Sequence, residues 1–132
     1  YCSDLTRTIF IGDPDEKFKK IYTTVLKAQL ISMETAQPDM TGEEIDKIAR
    51  DIITSEGYGE YFGHSLGHGV GIEIHESPGV GPNSKNNIKP GMVYTIEPGI
   101  YIENWGGIRI EDMVIMTEGG NDLLSHALKE AY

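Results

Sequence analysis

The stretch Gly63-His64-Ser65-Leu66-Gly67-His68-Gly69-Val70-Gly71-Ile72, with His75-Glu76 behind it, holds three of the chain's four histidines among four glycines. His64 and His68 are four apart, a spacing that a helix would turn to one face. Glycine costs roughly 1 kcal/mol at each helical position, so a helix is disfavoured here. A bent strand or loop, with its backbone passing close to something, is the better reading. Two further phrases share this character: Thr95-Ile96-Glu97-Pro98-Gly99 and Arg109-Ile110-Glu111-Asp112. Each sets a carboxylate inside a strand-like run, where an unpaired charge is expensive. One imidazole and two carboxylates in such settings suggest a metal.

Asp4 joins them, on a segment rich in Thr, Ile and aromatics. Asp4, His68, Glu97 and Glu111 together offer hard oxygen donors and one imidazole, a set suited to Mn²⁺, Co²⁺, Fe²⁺ or Zn²⁺. A bridging carboxylate can hold two ions ~3.5–4 Å apart, and such a pair generates hydroxide near neutral pH and polarises a carbonyl. His64, His75 and Arg109 would then handle protons and the oxyanion. Each residue taken singly also has a structural reading. The histidines can be hydrogen-bonded structural groups, Asp4 an edge-strand carboxylate in water, and Arg109 a salt-bridge partner of Glu111 two residues along the same face.

The elements that must position these residues read as follows. Tyr1 to Ile11 is a strand already under way, with Asp4, Thr6 and Thr8 on one face. Asp13, Pro14 and Glu16 open a helix, with Asp13 as cap, running from Pro14 to about Gln37 and stopped by Pro38. Thr41-Gly42-Glu43-Glu44 is a second capping box. Ile45, Ile48, Ala49, Ile52 and Ile53 follow helical spacing, and Gly57 closes that helix. Residues 76–87 are rich in turn formers and predict a loop beside the site. Strands are expected from Met92 to Glu97, from Ile100 to Glu103, and from Ile108 to Thr117. Val93, Thr95 and Glu97 share a face of the first, and Arg109, Glu111, Met113 and Ile115 a face of the last. The tail to Tyr132 reads as peripheral. Strands segregated from helices imply an α+β layer, a curved sheet backed by two helices.

Bulk composition narrows the function classes. The 132 residues suffice for one domain, and 39% hydrophobic and 24% charged residues are ordinary for a globular protein. Net charge is −10, from 21 acidic against 11 basic residues, which argues against a nucleic-acid partner. No apolar run predicts a membrane span, and nothing resembles a signal peptide. A single cysteine, Cys2, rules out an internal disulfide framework and fits a cytoplasmic setting; it reads as a small, partly buried residue.

Five phrases, in order, closely resemble the Xaa-Pro dipeptidase (prolidase) and Xaa-Pro aminopeptidase family, metallopeptidase family M24. They are Cys2-Ser3-Asp4-Leu5-Thr6-Arg7-Thr8, Gly63 to Gly71, His75-Glu76, Ile96-Glu97-Pro98-Gly99 and Gly107-Ile108-Arg109-Ile110-Glu111-Asp112. The resemblance covers nearly the whole chain and implies a pita-bread fold of the creatinase/aminopeptidase type. It implies that Asp4 and Glu111 are bridging metal ligands, His68 the single histidine ligand, and Glu97 a ligand of one metal. It makes His64 and His75 substrate-side histidines and Arg109 a supporting arginine. The implied reaction is hydrolysis of the bond preceding proline, at the free N-terminus of a peptide or dipeptide, by hydroxide activated on two Mn²⁺ or Co²⁺ ions.

The family supplies another Asp, in a phrase Asp-x-Gly, on the strand before Asp4. The expectation is therefore that residues 1–132 form the C-terminal portion of a catalytic domain whose N-terminal half is absent. Weak or no activity alone, and a dimer that imitates the missing half through an open strand edge, follow as expectations. Two other functions compete: a methionine-aminopeptidase-like enzyme, and a pita-bread module that binds proteins without catalysis. His64 and its Ser65-Leu66-Gly67 spacer favour the Xaa-Pro branch. The four intact ligand positions argue against the binding module, and against a metal-free creatinase-type site.

Overall fold

The computed structural model describes residues 1–131. Two helices pack against each other and against one face of an antiparallel sheet, the layer expected from the order of elements. Helix α1 spans Glu16–Thr35 and α2 spans Gly42–Ser55. Asp15, not Asp13, caps α1: its carboxylate accepts from the Phe18 amide, so Pro14 lies outside the helix and Glu16 becomes its first residue. The helix stops at Thr35, short of Gln37, because Ala36 is already extended ahead of the Gln37-Pro38 step. In α2 the Thr41–Glu44 capping box forms in both directions, and Gly57 takes φ +85° just beyond the end. Ile21, Val25 and Ala28 of α1 and Ile45, Ala49 and Ile53 of α2 are fully buried.

The main sheet runs β2-β1-β3-β6-β7, and a two-stranded sheet pairs β4 with β5. The strands are β1 (Gly67–Gly69), β2 (Glu76–Val80), β3 (Val93–Ile96), β4 (Gly99–Ile102), β5 (Gly106–Arg109), β6 (Asp112–Thr117) and β7 (Gly120–Leu123). Along β6, Asp112, Val114 and Met116 turn inward; Tyr94 and Ile96 of β3 are likewise buried.

Four further sequence expectations need correction. Residues 76–80 are a strand, not loop: β2 sits at the sheet edge, where Pro78 removes no ladder hydrogen bond. The N-terminal segment is not a regular strand. Among its described residues, the one β-bridge joins Thr6 to Glu111. The tail is not peripheral: the Lys129 ammonium lies 2.8 Å from Asp112, Phe10 donates to the Ala131 carbonyl, and Tyr22 donates to that of Lys129. Tyr132 lies outside the described residues.

The fourth correction concerns the site. The run 108–117 divides into β5 and β6, which belong to different sheets. Residues 93–117 nevertheless form one long hairpin in constant register, with Ile96 opposite Asp112 and Gly99 opposite Arg109. The ladder breaks only where Glu97-Pro98 faces Ile110-Glu111. Proline has no N–H to give. The two glutamate amides point outward instead, Glu97 to the Leu66 carbonyl (2.8 Å) and Glu111 to that of Thr6 (3.0 Å).

Candidate metal centre

That break gathers four extended segments side by side. Leu66 on one flank carries His68 two residues on, and Thr6 on the other carries Asp4 two residues back. From these segments His68, Glu97, Glu111 and Asp4 converge on one place. Carboxylate oxygens of Asp4 and Glu111 and a ring nitrogen of His68 lie within 4.8 Å of one another. His68 Nε2 is 3.2 Å from Glu97 Oε1 and 3.6 Å from Asp4 Oδ2. Four segments thus bring together all four residues that the sequence singled out as ligand candidates.

Each donor is oriented by a neighbour. His68 Nδ1 lies 3.0 Å from the Gly69 carbonyl, an acceptor that suits the tautomer with the proton on Nδ1, in which Nε2 would be the metal-facing nitrogen. The buried Thr95 hydroxyl accepts from the His68 amide (3.0 Å) and lies 3.0 Å from Glu97 Oε1, to which it donates. The Thr6 hydroxyl donates to Glu111 Oε2. Gly67 lies so close to β3 that a Cβ there would overlap the Thr95 carbonyl, which explains one of the glycines.

The electrostatics suit a cation. Burial pushes the Glu111 carboxyl above its ordinary range. The Thr6 hydrogen bond opposes that shift, the charges of Glu97 and Asp4 reinforce it, and Arg109 opposes it. Carboxylates converging on one point repel, and a divalent ion answers that repulsion while taking both the oxygen donors and the free imidazole nitrogen.

Beside the four donors opens a cavity of about 610 Å³ lined by His64, His68, His75, Glu97, Tyr101 and Arg109, among others. His64 Nδ1 lies 2.8 Å from the Ser65 carbonyl, and Nε2 lies 3.0 Å from the Tyr101 hydroxyl. The His75 ring stands 4.1 Å from that of His68. Burial lowers the Arg109 guanidinium, but its hydrogen bond to Tyr101 and the charges of Tyr101, Glu111 and Glu97 outweigh this and raise it. Arg109 Nε also donates to the Thr6 hydroxyl at 3.2 Å. Sequence reading missed Thr6, Thr95 and Tyr101. The first two left a signal, since each sits two residues from a ligand on the same strand face; Tyr101 left none.

The profile of metallopeptidase family M24 matches residues 1–118. An Xaa-Pro dipeptidase from Pyrococcus furiosus is 55% identical over 130 residues, which cover 98% of this chain and 37% of that protein. The crystal structure of the prolidase from Pyrococcus horikoshii superposes with a TM-score of 0.96 at 52% identity, covering 98% of this chain and 38% of that one. An Xaa-Pro dipeptidase from Bacillus anthracis gives 0.97 at 53%, covering 98% and 37%. The architecture is the pita-bread fold of these prolidases, of which the chain carries a part. The chain thus spans well under half the length of the relatives it matches.

Proposed function

The chain belongs to metallopeptidase family M24, and on that premise we propose that it forms the C-terminal portion of a catalytic domain hydrolysing the peptide bond before proline. The substrate is a dipeptide or peptide with a free N-terminus. The observation that carries this reading is the convergence of Asp4, His68 and Glu111 within 4.8 Å, with Glu97 3.2 Å from His68.

In this reading Asp4 and Glu111 would serve as shared carboxylate ligands of two divalent ions, with His68 as the histidine ligand and Glu97 as a ligand of one ion. Mn²⁺ and Co²⁺ are the ions proposed, with Zn²⁺ and Fe²⁺ as the other candidates for the same donors. When bound, the ions supply Lewis acidity toward the scissile carbonyl and an activated water. The chain's own groups do the rest. Thr95 and Thr6 hold Glu97 and Glu111 in place. His64, with Nδ1–H on the Ser65 carbonyl, presents Nε2 as the atom that exchanges a proton through Tyr101 at the cavity. His75, on the cavity wall beside His68, assists proton movement. Arg109 places positive charge where the carbonyl oxygen becomes anionic.

The activity belongs to the assembled catalytic domain, and turnover by this chain alone is proposed to be weak. The test is cleavage of Xaa-Pro and Xaa-Ala dipeptides, and of an N-acetylated Xaa-Pro peptide, by Mn²⁺-loaded protein. Weak, chelator-sensitive cleavage of the free Xaa-Pro substrate alone is expected. Preferential release of N-terminal Met would favour the methionine-aminopeptidase reading. Peptide capture without metal binding would favour the binding module.

The partners follow from the same reading. A net charge of −10 argues against nucleic acid, and no helix among the described residues is long and apolar enough to cross a membrane. A cytoplasmic setting is proposed from the lone Cys2. Self-association, as a dimer, is proposed through the N-terminal segment, which exposes Leu5, Ile9 and Ile11 beside its single bridge to the sheet. A monomer mass independent of concentration in sedimentation would refute it.

A further inference from the structure

We propose that Asp46 and Arg50 of α2 form a clasp that positions His64 at the cavity, acting through the backbone of residues 62–66. The inference rests on reading His64 as a substrate-side histidine. The two side chains lie one helical turn apart and pair bidentately, Nε to Oδ2 at 2.7 Å and Nη2 to Oδ1 at 2.9 Å. The pair is then used up on the histidine segment. Arg50 Nη1 donates to the Phe62 carbonyl and Nη2 to that of His64, both at 2.9 Å, while Asp46 Oδ1 accepts from the Leu66 amide at 2.9 Å.

Residues 62–66 lie between a 3₁₀ turn and β1, so no ladder holds those three backbone groups. The clasp replaces one. Asp46 is 99% withdrawn from solvent, where charge-assisted bonds are strong and an unpaired charge is costly. A ring relay continues outward from it. The Arg50 guanidinium covers the Phe62 ring at 4.2 Å, Phe62 meets the His64 ring edge-on at 5.1 Å and 86°, and His64 reaches Tyr101. Leu66 also accepts the Glu97 amide, so the same clasp borders the metal ligands. A lysine at position 50 would keep the charge beside Asp46 but lacks the planar fork that reaches two carbonyls at once.

The test is Arg50→Lys, examined metal-free by NMR with histidine and tyrosine rings labelled. The wild-type chain should show ring-to-ring cross-relaxation between His64 and Tyr101. In Arg50→Lys this contact should disappear, while the His68–His75 contact and hydrogen-exchange protection of the Leu66 amide persist. A His64–Tyr101 contact unchanged in the variant would overturn the proposal. So would equal loss at all these points, which would mark the pair as general scaffolding. Should Arg50→Lys not fold, Asp46→Asn, which keeps volume and an acceptor for Leu66, is read by the same contacts. A parallel Mn²⁺ titration separates the two ideas: wild-type protein that binds no metal refutes a metal site preformed in this chain, whereas the ring contacts judge the clasp alone.

Discussion

Glu97 and Glu111 face each other across the one break in the 93–117 hairpin ladder, with both amides turned outward to third segments. Facing residues whose amides point away form the antiparallel pairing in which side chains stand closest. Two carboxylates are therefore held together by backbone register, and the flanking segments add His68 and Asp4.

That crowding has a pH signature. Burial raises the Glu111 carboxyl first, the Thr6 hydroxyl opposes this, Glu97 and Asp4 add to it, and Arg109 opposes it. The folded chain therefore keeps this proton to a higher pH than the unfolded chain does. The Glu111 contribution to the stability of the metal-free protein should fall as pH rises from the unfolded value of 4.5 through the raised folded value, and be constant on either side. Urea midpoints across this window, in chelator, should show the slope in wild type and a smaller one in Glu111→Gln. Parallel curves would contradict the assignment.

Thr95 serves two of the proposed ligands at once. Thr95→Val removes the acceptor of the His68 amide and the donor to Glu97. It should cost about 1–3 kcal/mol in denaturant unfolding. It should also weaken Mn²⁺ affinity by about 10–100-fold in a calorimetric titration.

Gly67→Ala should destabilise the fold by about 1–3 kcal/mol, because its Cβ would meet the Thr95 carbonyl, which the sheet does not let move. Chemical denaturation measures this directly, and a change within error would show that β1 and β3 are further apart than described.

Asp112 lies fully buried behind Glu111, with Arg7 at 2.7 Å, Lys129 at 2.8 Å and the Gln29 amide at 2.7 Å. Asp112→Ala strands two cations and should cost about 3–5 kcal/mol. Thermal unfolding should show Asp112→Asn falling between the variant and wild type.

The four proposed ligands stood out in the sequence because a carboxylate inside a strand-like run is costly unless it is paired, while the role of each came from the family resemblance and not from spacing. Helix α2 was legible because its cap and its Ile spacing agreed. The rest depended on long-range partners. Asp15 displaced Asp13 as the α1 cap by reaching the Phe18 amide. Residues 76–80 read as turn and became a strand because β1 offered an edge. The 108–117 run broke because Pro98 lies opposite Ile110, which no strand pattern on one side reveals. Arg50 and Asp46 looked like an ordinary helix pair until the chain folded back over them.

The central claim is that Asp4, His68, Glu97 and Glu111 hold divalent metal, and calorimetric Mn²⁺ titration of the wild-type chain and Glu97→Gln tests it most directly. Binding of about one ion per chain is predicted. An affinity at least about tenfold weaker in Glu97→Gln, with the fold unchanged, is also predicted. No binding in either protein, or the same binding in both, would contradict the claim.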